Sequence, residues 1–268
     1  MKSKALKNTA IALFAAFLLY ACKKTVTLNL KTAASQIVIQ GEVTDSAGPY
    51  TVTLNKTVGF YADNTFPGIS GASVKISDDQ GLTDSLTETS PGVYSTHTLQ
   101  GKTGNTYTLS VFAQNTNYTA VSTMPAHVPL DSVTIMHESG FGGGQINAVA
   151  NFQDPPGKKN YYQFIQYING QLYTKNIFIF DDRLSDGRYI SNTLSMDSNY
   201  ISTGDQIEVK MYCIDANVYS YFNQLDQSSG SGGFNASASP ANPVSNISNG
   251  AYGYFSAHTT QSKKVKAY

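Results

Sequence analysis

The 268 residues carry 18 Lys and Arg against 18 Asp and Glu, so the formal charge is zero, and 41% of the chain is apolar. That balance excludes the basic excess of a nucleic-acid binder, and the apolar content excludes an intrinsically disordered chain. Charged residues make up only 13%, against about 25% in an average domain, so polarity rests on Thr, Ser, Asn and Gln, which suit strands and turns.

Residues 1–21 place Lys2, Lys4 and Lys7 ahead of an uncharged stretch from Asn8 to Ala21. That stretch falls short of the roughly 20 residues of a spanning helix and reads as a secretory signal peptide. Leu19-Tyr20-Ala21-Cys22 resembles the bacterial lipobox, in which a small residue precedes a cysteine that is acylated, palmitate being one such chain. Lipidation is expected at Cys22; the alternative is an ordinary signal with an incidental cysteine. Cleavage before Cys22 removes three lysines and leaves a net charge of −3, so membrane attachment would rest on the acyl chains rather than on a basic surface. Residues 22–35 read as a tether, and the expected location is the outer membrane. Which face it occupies is open, since no Asp or Glu precedes Glu42.

The body reads as all-β, with two β-sandwich domains at 36–127 and 128–268. In the first, Ile37, Ile39 and Val43 alternate with Gln36, Gln40 and Glu42, and Tyr50, Val52 and Leu54 alternate with threonines. Further strands are predicted at 72–77, 92–97, 106–113 and 117–124, separated by Gly, Asn, Asp and Pro turns. Short strands at that density describe an immunoglobulin-like or transthyretin-like sandwich. Pro125 and Pro129 break the pattern and mark the boundary. Beyond them, strands are predicted at 132–137, 145–152, 160–168, 171–180, 190–194 and 206–214. In the last, Ile207, Val209, Met211 and Cys213 share one face, which makes Cys213 a packed, unpaired thiol. A short amphipathic helix near 216–227 is capped by Asp215 and sets Val218, Tyr219, Phe222 and Leu225 on one face. Residues 240–257 read as a loop with aromatics, and Lys263, Lys264 and Lys266 as part of a last polar strand.

Five segments, IVIQGEVTDSAGPYTVTLNKT, PGISGASVKISDDQG, PGVYSTHTLQGKTGNTYTLSV, NFQDPPGKKNYYQF and NPVSNISNGAYGYFSA, occur in this order from about Ile37 to the C-terminus. Together with the lipobox they resemble the Bacteroidota outer-membrane lipoprotein family known as domain of unknown function 4249. The resemblance implies an accessory or ligand-capturing subunit beside a TonB-dependent transporter barrel. It brings no catalytic residues with it.

The chemistry in the sequence is sparse. His97, His127, His137 and His258 are scattered without paired spacing, and the glycines at 140–144 lack the Lys and helix of a phosphate loop. Asp181, Asp182 and Asp186 could supply part of a calcium shell, as could Asp78, Asp79 and Asp84, although acidic turns are commonly just solvated. Apart from the lipid and such a calcium ion, no cofactor is expected. Tyr161, Tyr162, Tyr167, Tyr252 and Tyr254 are the candidate ligand-binding rings; the alternative is that they fill cores and strand faces. With no nucleophile motif, the reading is a non-enzymatic binding or accessory protein with no nucleic-acid partner. The alternatives are a structural or adhesive spacer and a hydrolase with a carboxylate pair.

Overall fold

Ile37, Ile39 and Val43 are buried while Gln40 and Glu42 reach solvent, so the period-two pattern of β1 (Ile37–Thr44) becomes one buried and one open face. The computed structural model describes residues 35–59, 65–138, 144–196, 200–228 and 242–268. The signal peptide, Cys22, nearly all of the tether and the glycine-rich stretches at 140–143 and 229–233 lie outside the described residues.

β2 (Thr51–Lys56), β3 (Ser73–Asp78), β4 (Thr83–Ser85), β5 (Thr87–Ser90), β6 (Val93–Ser95), β7 (Thr106–Ala113) and β8 (Thr116–Thr123) precede the two prolines. β9 (Leu130–Glu138), β10 (Gln145–Gln153), β11 (Tyr161–Ile168), β12 (Gln171–Leu172), β13 (Phe178–Asp181), β14 (Tyr189–Leu194) and β15 (Gln206–Ile214) follow them, then the helix α1 (Ala216–Ser228) and the 15-residue β16 (Tyr252–Lys266). The fold is all-β with one short helix.

Two apolar cores form on either side of the proline segment. The first is built by β1, β2 and β6 against β3, β7 and β8, and the second by β11 and β15 against β9, β10 and β14. The 3-stranded sheet β14-β10-β9 and the 4-stranded sheet β4-β3-β7-β8 each cover one core, whereas the opposite layer of both is one 9-stranded sheet, β12-β11-β15-β16-β1-β2-β6-β5, with β13 also on β11. β16 makes that sharing possible. It pairs in parallel with β1 and antiparallel with β15. Phe255 and Ala257 near its start enter the first core, and Ala267 just past its end enters the second, all from its odd-numbered face. Ile247 and Ala251 also join the first core. Residues 37–124 are therefore completed by a segment from the end of the chain, and 35–268 forms one compact unit.

Two local outcomes matter for the site. The stretch from Tyr252 onward, read as a loop, is the first part of β16; Gly253 at its second position and Asn249-Gly250 before it hide the strand pattern. The helix forms where expected, with Val218 and Tyr221 buried. Its N-terminus is held by Asp215, whose Oδ1 accepts the N–H of Asn217 and of Val218 at 2.9 Å each. Oδ2 takes the Ser122 hydroxyl, and Ser122 Oγ accepts the Ala257 N–H at 2.8 Å, so the cap is bolted to β8 and β16. Asp215→Ala is expected to lower the unfolding free energy by about 1–2 kcal/mol in denaturant titration, and Asp215→Asn to recover most of the loss.

Candidate metal centre and tyrosine face

β10 pairs with β14 through Gln153 and Tyr189, and β11 pairs with β13 through Tyr161 and Asp181. These registers lay the loop 154–160 beside the loop 182–188. Asp154 N–H donates to the Arg188 carbonyl at 3.0 Å, and Asp182 N–H to the Asn160 carbonyl at 3.4 Å. Gly187, at φ +69°, lets the second loop turn tightly against Pro156.

The consequence is that Asp154, Asp182 and Asp186 converge, with one carboxylate oxygen from each lying within 4.8 Å of the others. Asp154 is 0% exposed and Asp182 3%. Asp154 accepts the Tyr162 hydroxyl at 2.5 Å and the Gly187 N–H at 3.0 Å. Asp182 Oδ2 accepts the Asn160 N–H at 2.8 Å, and Asp186 Oδ1 the Gly157 N–H at 2.8 Å. Burial pushes the Asp182 carboxyl above its ordinary value; the Asn160 N–H pulls it down, and the neighbouring Asp154 and Asp186 push it up again. A recess of about 310 Å³ opens beside the cluster, lined by Gly157, Lys158, Lys159, Asp182, Arg183 and Asp186.

Of the three acidic residues singled out in the sequence, the fold brings together Asp182 and Asp186 but turns Asp181 away. Its carboxylate accepts Arg183 Nε–H at 2.8 Å and the Tyr219 hydroxyl at 2.6 Å, which ties β13 to α1. Burial raises this carboxyl, but those two bonds and the Arg183 charge hold it below the usual range. Asp154 takes its place in the cluster. It heads the Asp154-Pro155-Pro156-Gly157 loop, and its partnership with the second loop is set by strand register. Asp78 and Asp84, of the other acidic stretch, are used within the fold instead: Asp78 Oδ1 accepts the N–H of Gln80 and Leu82 in its own turn, and Asp84 Oδ2 those of His97, Thr98 and Leu99 in the segment after β6. Asp79 accepts the Gln80 amide at 3.2 Å.

The five tyrosines part company in the same way. Tyr162 is fully buried and fastened to Asp154, so it presents nothing to a ligand. Tyr161 packs against Tyr219 of the helix at 5.0 Å with the rings tilted, and the Tyr252 hydroxyl accepts the Asn242 amide at 3.0 Å. Tyr254 packs against Tyr221 at 5.2 Å and Phe222 at 4.9 Å, and Lys210 Nζ sits 5.0 Å over the Tyr167 ring. Strand register puts Tyr167, Lys210, Tyr212, Tyr254 and Glu42 on the face of the long sheet opposite the cores. Burial pushes the Tyr212 hydroxyl up to about 12, with the Glu42 charge adding to it. Beside this row a recess of about 190 Å³ is lined by Gln40, Gly41, Glu42, Thr51, Thr53 and Tyr254. Glu42, Lys210 and Tyr212 were missed as site residues because each reads as the ordinary outward position of a strand. Cys213 is buried at 2% exposure, and burial raises its thiol further from reactivity.

No curated protein matches the sequence. Among solved structures, the adhesin InvE of Yersinia pseudotuberculosis aligns at 19% identity and a TM-score of 0.21; the alignment covers 67% of this chain and 55% of the adhesin. The profile of the family described as Domain of unknown function (DUF4249) matches residues 23–264, a span that takes in the acidic cluster, the tyrosine face and both cores, and the chain belongs to that family.

Proposed function

We propose that the chain is a lipid-anchored, non-enzymatic protein of the outer membrane of a Bacteroidota cell, which holds ligand on the face of its long sheet opposite the cores as the accessory subunit of a TonB-dependent transporter. The observation that carries the reading is the part of that face clear of the helix: the half-buried Tyr167 and Tyr212 offer ring edges, Glu42, Lys210 and Gln40 offer polar partners, and Tyr254, held by Tyr221 and Phe222, borders the recess beside Gln40 and Glu42, on a sheet held by two cores. Rings with such polar neighbours are suited to sugars and peptides. The acidic cluster does not favour a hydrolase. Asp154 is buried with both oxygens engaged, whereas glycoside hydrolysis needs two carboxyls facing a cleft from about 5–10 Å apart. Cys22 stands 13 residues before Ser35, where the body begins. An extended chain of that length reaches at most about 45 Å, enough for the body to lie against a barrel in the same membrane.

The test is a pull-down of the tagged, natively lipidated full chain from mild-detergent outer-membrane extract, with mass spectrometry of its companions. A large TonB-dependent barrel in stoichiometric amount is the expected result, with palmitate labelling lost in Cys22→Ser. The lipoprotein alone, in an extract where other barrel complexes stay intact, would overturn the transporter reading. It would favour the spacer reading instead, for which the continuous 9-stranded sheet is the supporting feature.

A further inference from the structure

Buried carboxylates are ordinarily paired with a cation or bound to a metal, because an isolated charge removed from water is costly. Among the described residues the ion pairs are His97 with Asp84, His127 with Asp45, Arg183 with Asp181 and Lys264 with Glu208, so none of them serves Asp154, Asp182 or Asp186. Two of these three are at most 3% exposed. Asp182, moreover, lines the recess with a carboxylate that accepts one hydrogen bond from another residue, the Asn160 N–H on Oδ2. Two neutral oxygens on the same pair of loops, Asn160 Oδ1 and Ser185 Oγ, are also enclosed and without a hydrogen-bond partner. An enclosed amide oxygen and an enclosed hydroxyl on these loops thus lack the partner that a bound cation or its water would supply.

We propose that Asp154, Asp182 and Asp186 bind one calcium ion, which clamps the 154–160 loop to the 182–188 loop. The donor set is all oxygen, which suits a hard cation rather than zinc or copper. Calcium–oxygen bonds of about 2.3–2.6 Å allow two ligands of one ion to stand up to about 5 Å apart, whereas the short bonds to magnesium allow only about 4.2 Å. The three oxygens lie within 4.8 Å of one another, inside the reach of calcium. The Tyr162 hydroxyl and the Gly187, Asn160 and Gly157 amides fix the carboxylates in orientation, so the site is held in place by the strands beneath it. The proposal is independent of any transporter.

The test uses the full lipidated chain in detergent, stripped with chelator and exchanged into metal-free buffer. Calcium chloride is expected to bind one ion per chain by calorimetry and, at a hundredfold excess over Kd, to raise Tm by about 5–10 °C. Magnesium chloride at the same concentration should raise it less. Asp182→Asn and Asp186→Asn should each remove most of the calcium-induced rise, while Asp79→Asn should keep it. If Asp182→Asn fails to fold, Asp186→Asn carries the test, since Asp186 is exposed. Absence of binding heat and of any Tm shift, an undiminished shift in Asp186→Asn, or an equal response to magnesium overturns the proposal. The first of these would leave the exposed Lys158 and Lys159 as the counter-charges.

Discussion

Replacing Gly253 with alanine is expected to cost about 4 kcal/mol or more and to leave the chain largely unfolded at 37 °C. The residue sits at φ +98°, where an L side chain is strained. It also lies opposite Ile39 in the parallel pairing of β1 with β16. A Cβ built there would stand 2.0 Å from the Ile39 carbonyl oxygen and 2.8 Å from its carbon, and these are backbone atoms that no rotamer change can move. β1 would have to leave β16, and the register from Val38 with Tyr252 to Thr44 with His258 would go with it. Because β16 closes the first core and reaches the second, the loss is global. Gly41 supplies the contrast: there an added Cβ meets the side chains of Val52 at 3.0 Å and Phe255 at 3.3 Å, which can shift. Gly41→Ala should therefore cost about 1–3 kcal/mol. Denaturant unfolding of the two variants side by side checks the ranking. A Gly253→Ala protein with the wild-type midpoint would mean that β1 and β16 do not pair in this register.

What could be read in the sequence follows from which interactions are local. Alternation over six to nine residues reveals β1, β2, β7, β8 and β15, because burial on one face of a strand is recorded in the strand itself. The capped helix is legible for the same reason, since Asp215 and the amides it holds are neighbours in the chain. The shared 9-stranded sheet is not legible. Its central event is a parallel pairing between residues 38–44 and 252–258, more than 200 positions apart, and the glycine that permits it reads as loop chemistry. The acidic cluster fails in the same manner. Asp181 and Asp182 are adjacent in sequence, yet successive residues of an extended chain point to opposite sides, so they part, one toward α1 and the other into the recess. Asp154 reaches the cluster only through the β10–β14 and β11–β13 registers. The tyrosines show the same limit: in the sequence they read either as ligand-binding rings or as filling for cores and strand faces, and only the register separates Tyr162, which holds Asp154, from Tyr167 and Tyr254 on the face opposite the cores.

Stability should also fall between pH 7 and pH 5, through His258. Its imidazole is 3% exposed in β16, with Nδ1 2.9 Å from Ser256 Oγ and its ring centre 4.4 Å from that of Tyr212, tilted by 30°. Burial pulls its pKa from 6.5 down to about 4. The unfolded chain therefore takes up a proton near pH 6.5 that the folded chain refuses until about pH 4, so stability is fully present above pH 6.5 and is lost as pH falls through this window. A difference of that size corresponds to about 3 kcal/mol in all, with about 2 kcal/mol gone between pH 7 and pH 5, before most carboxylates titrate. Glu42, on the same sheet face, acts in the opposite sense, since burial raises its carboxyl while the Lys210 charge lowers it. His258→Asn keeps a hydrogen-bonding group near the Nδ1 position and removes the titration, while Glu42 and the other carboxylates remain in both proteins. The difference between the two stability curves thus isolates the histidine, and it should move by about 2 kcal/mol in the variant's favour from pH 7 to pH 5 in denaturant titrations. If the asparagine variant loses as much stability as the wild type over that range, some group other than the buried imidazole takes up the proton on unfolding.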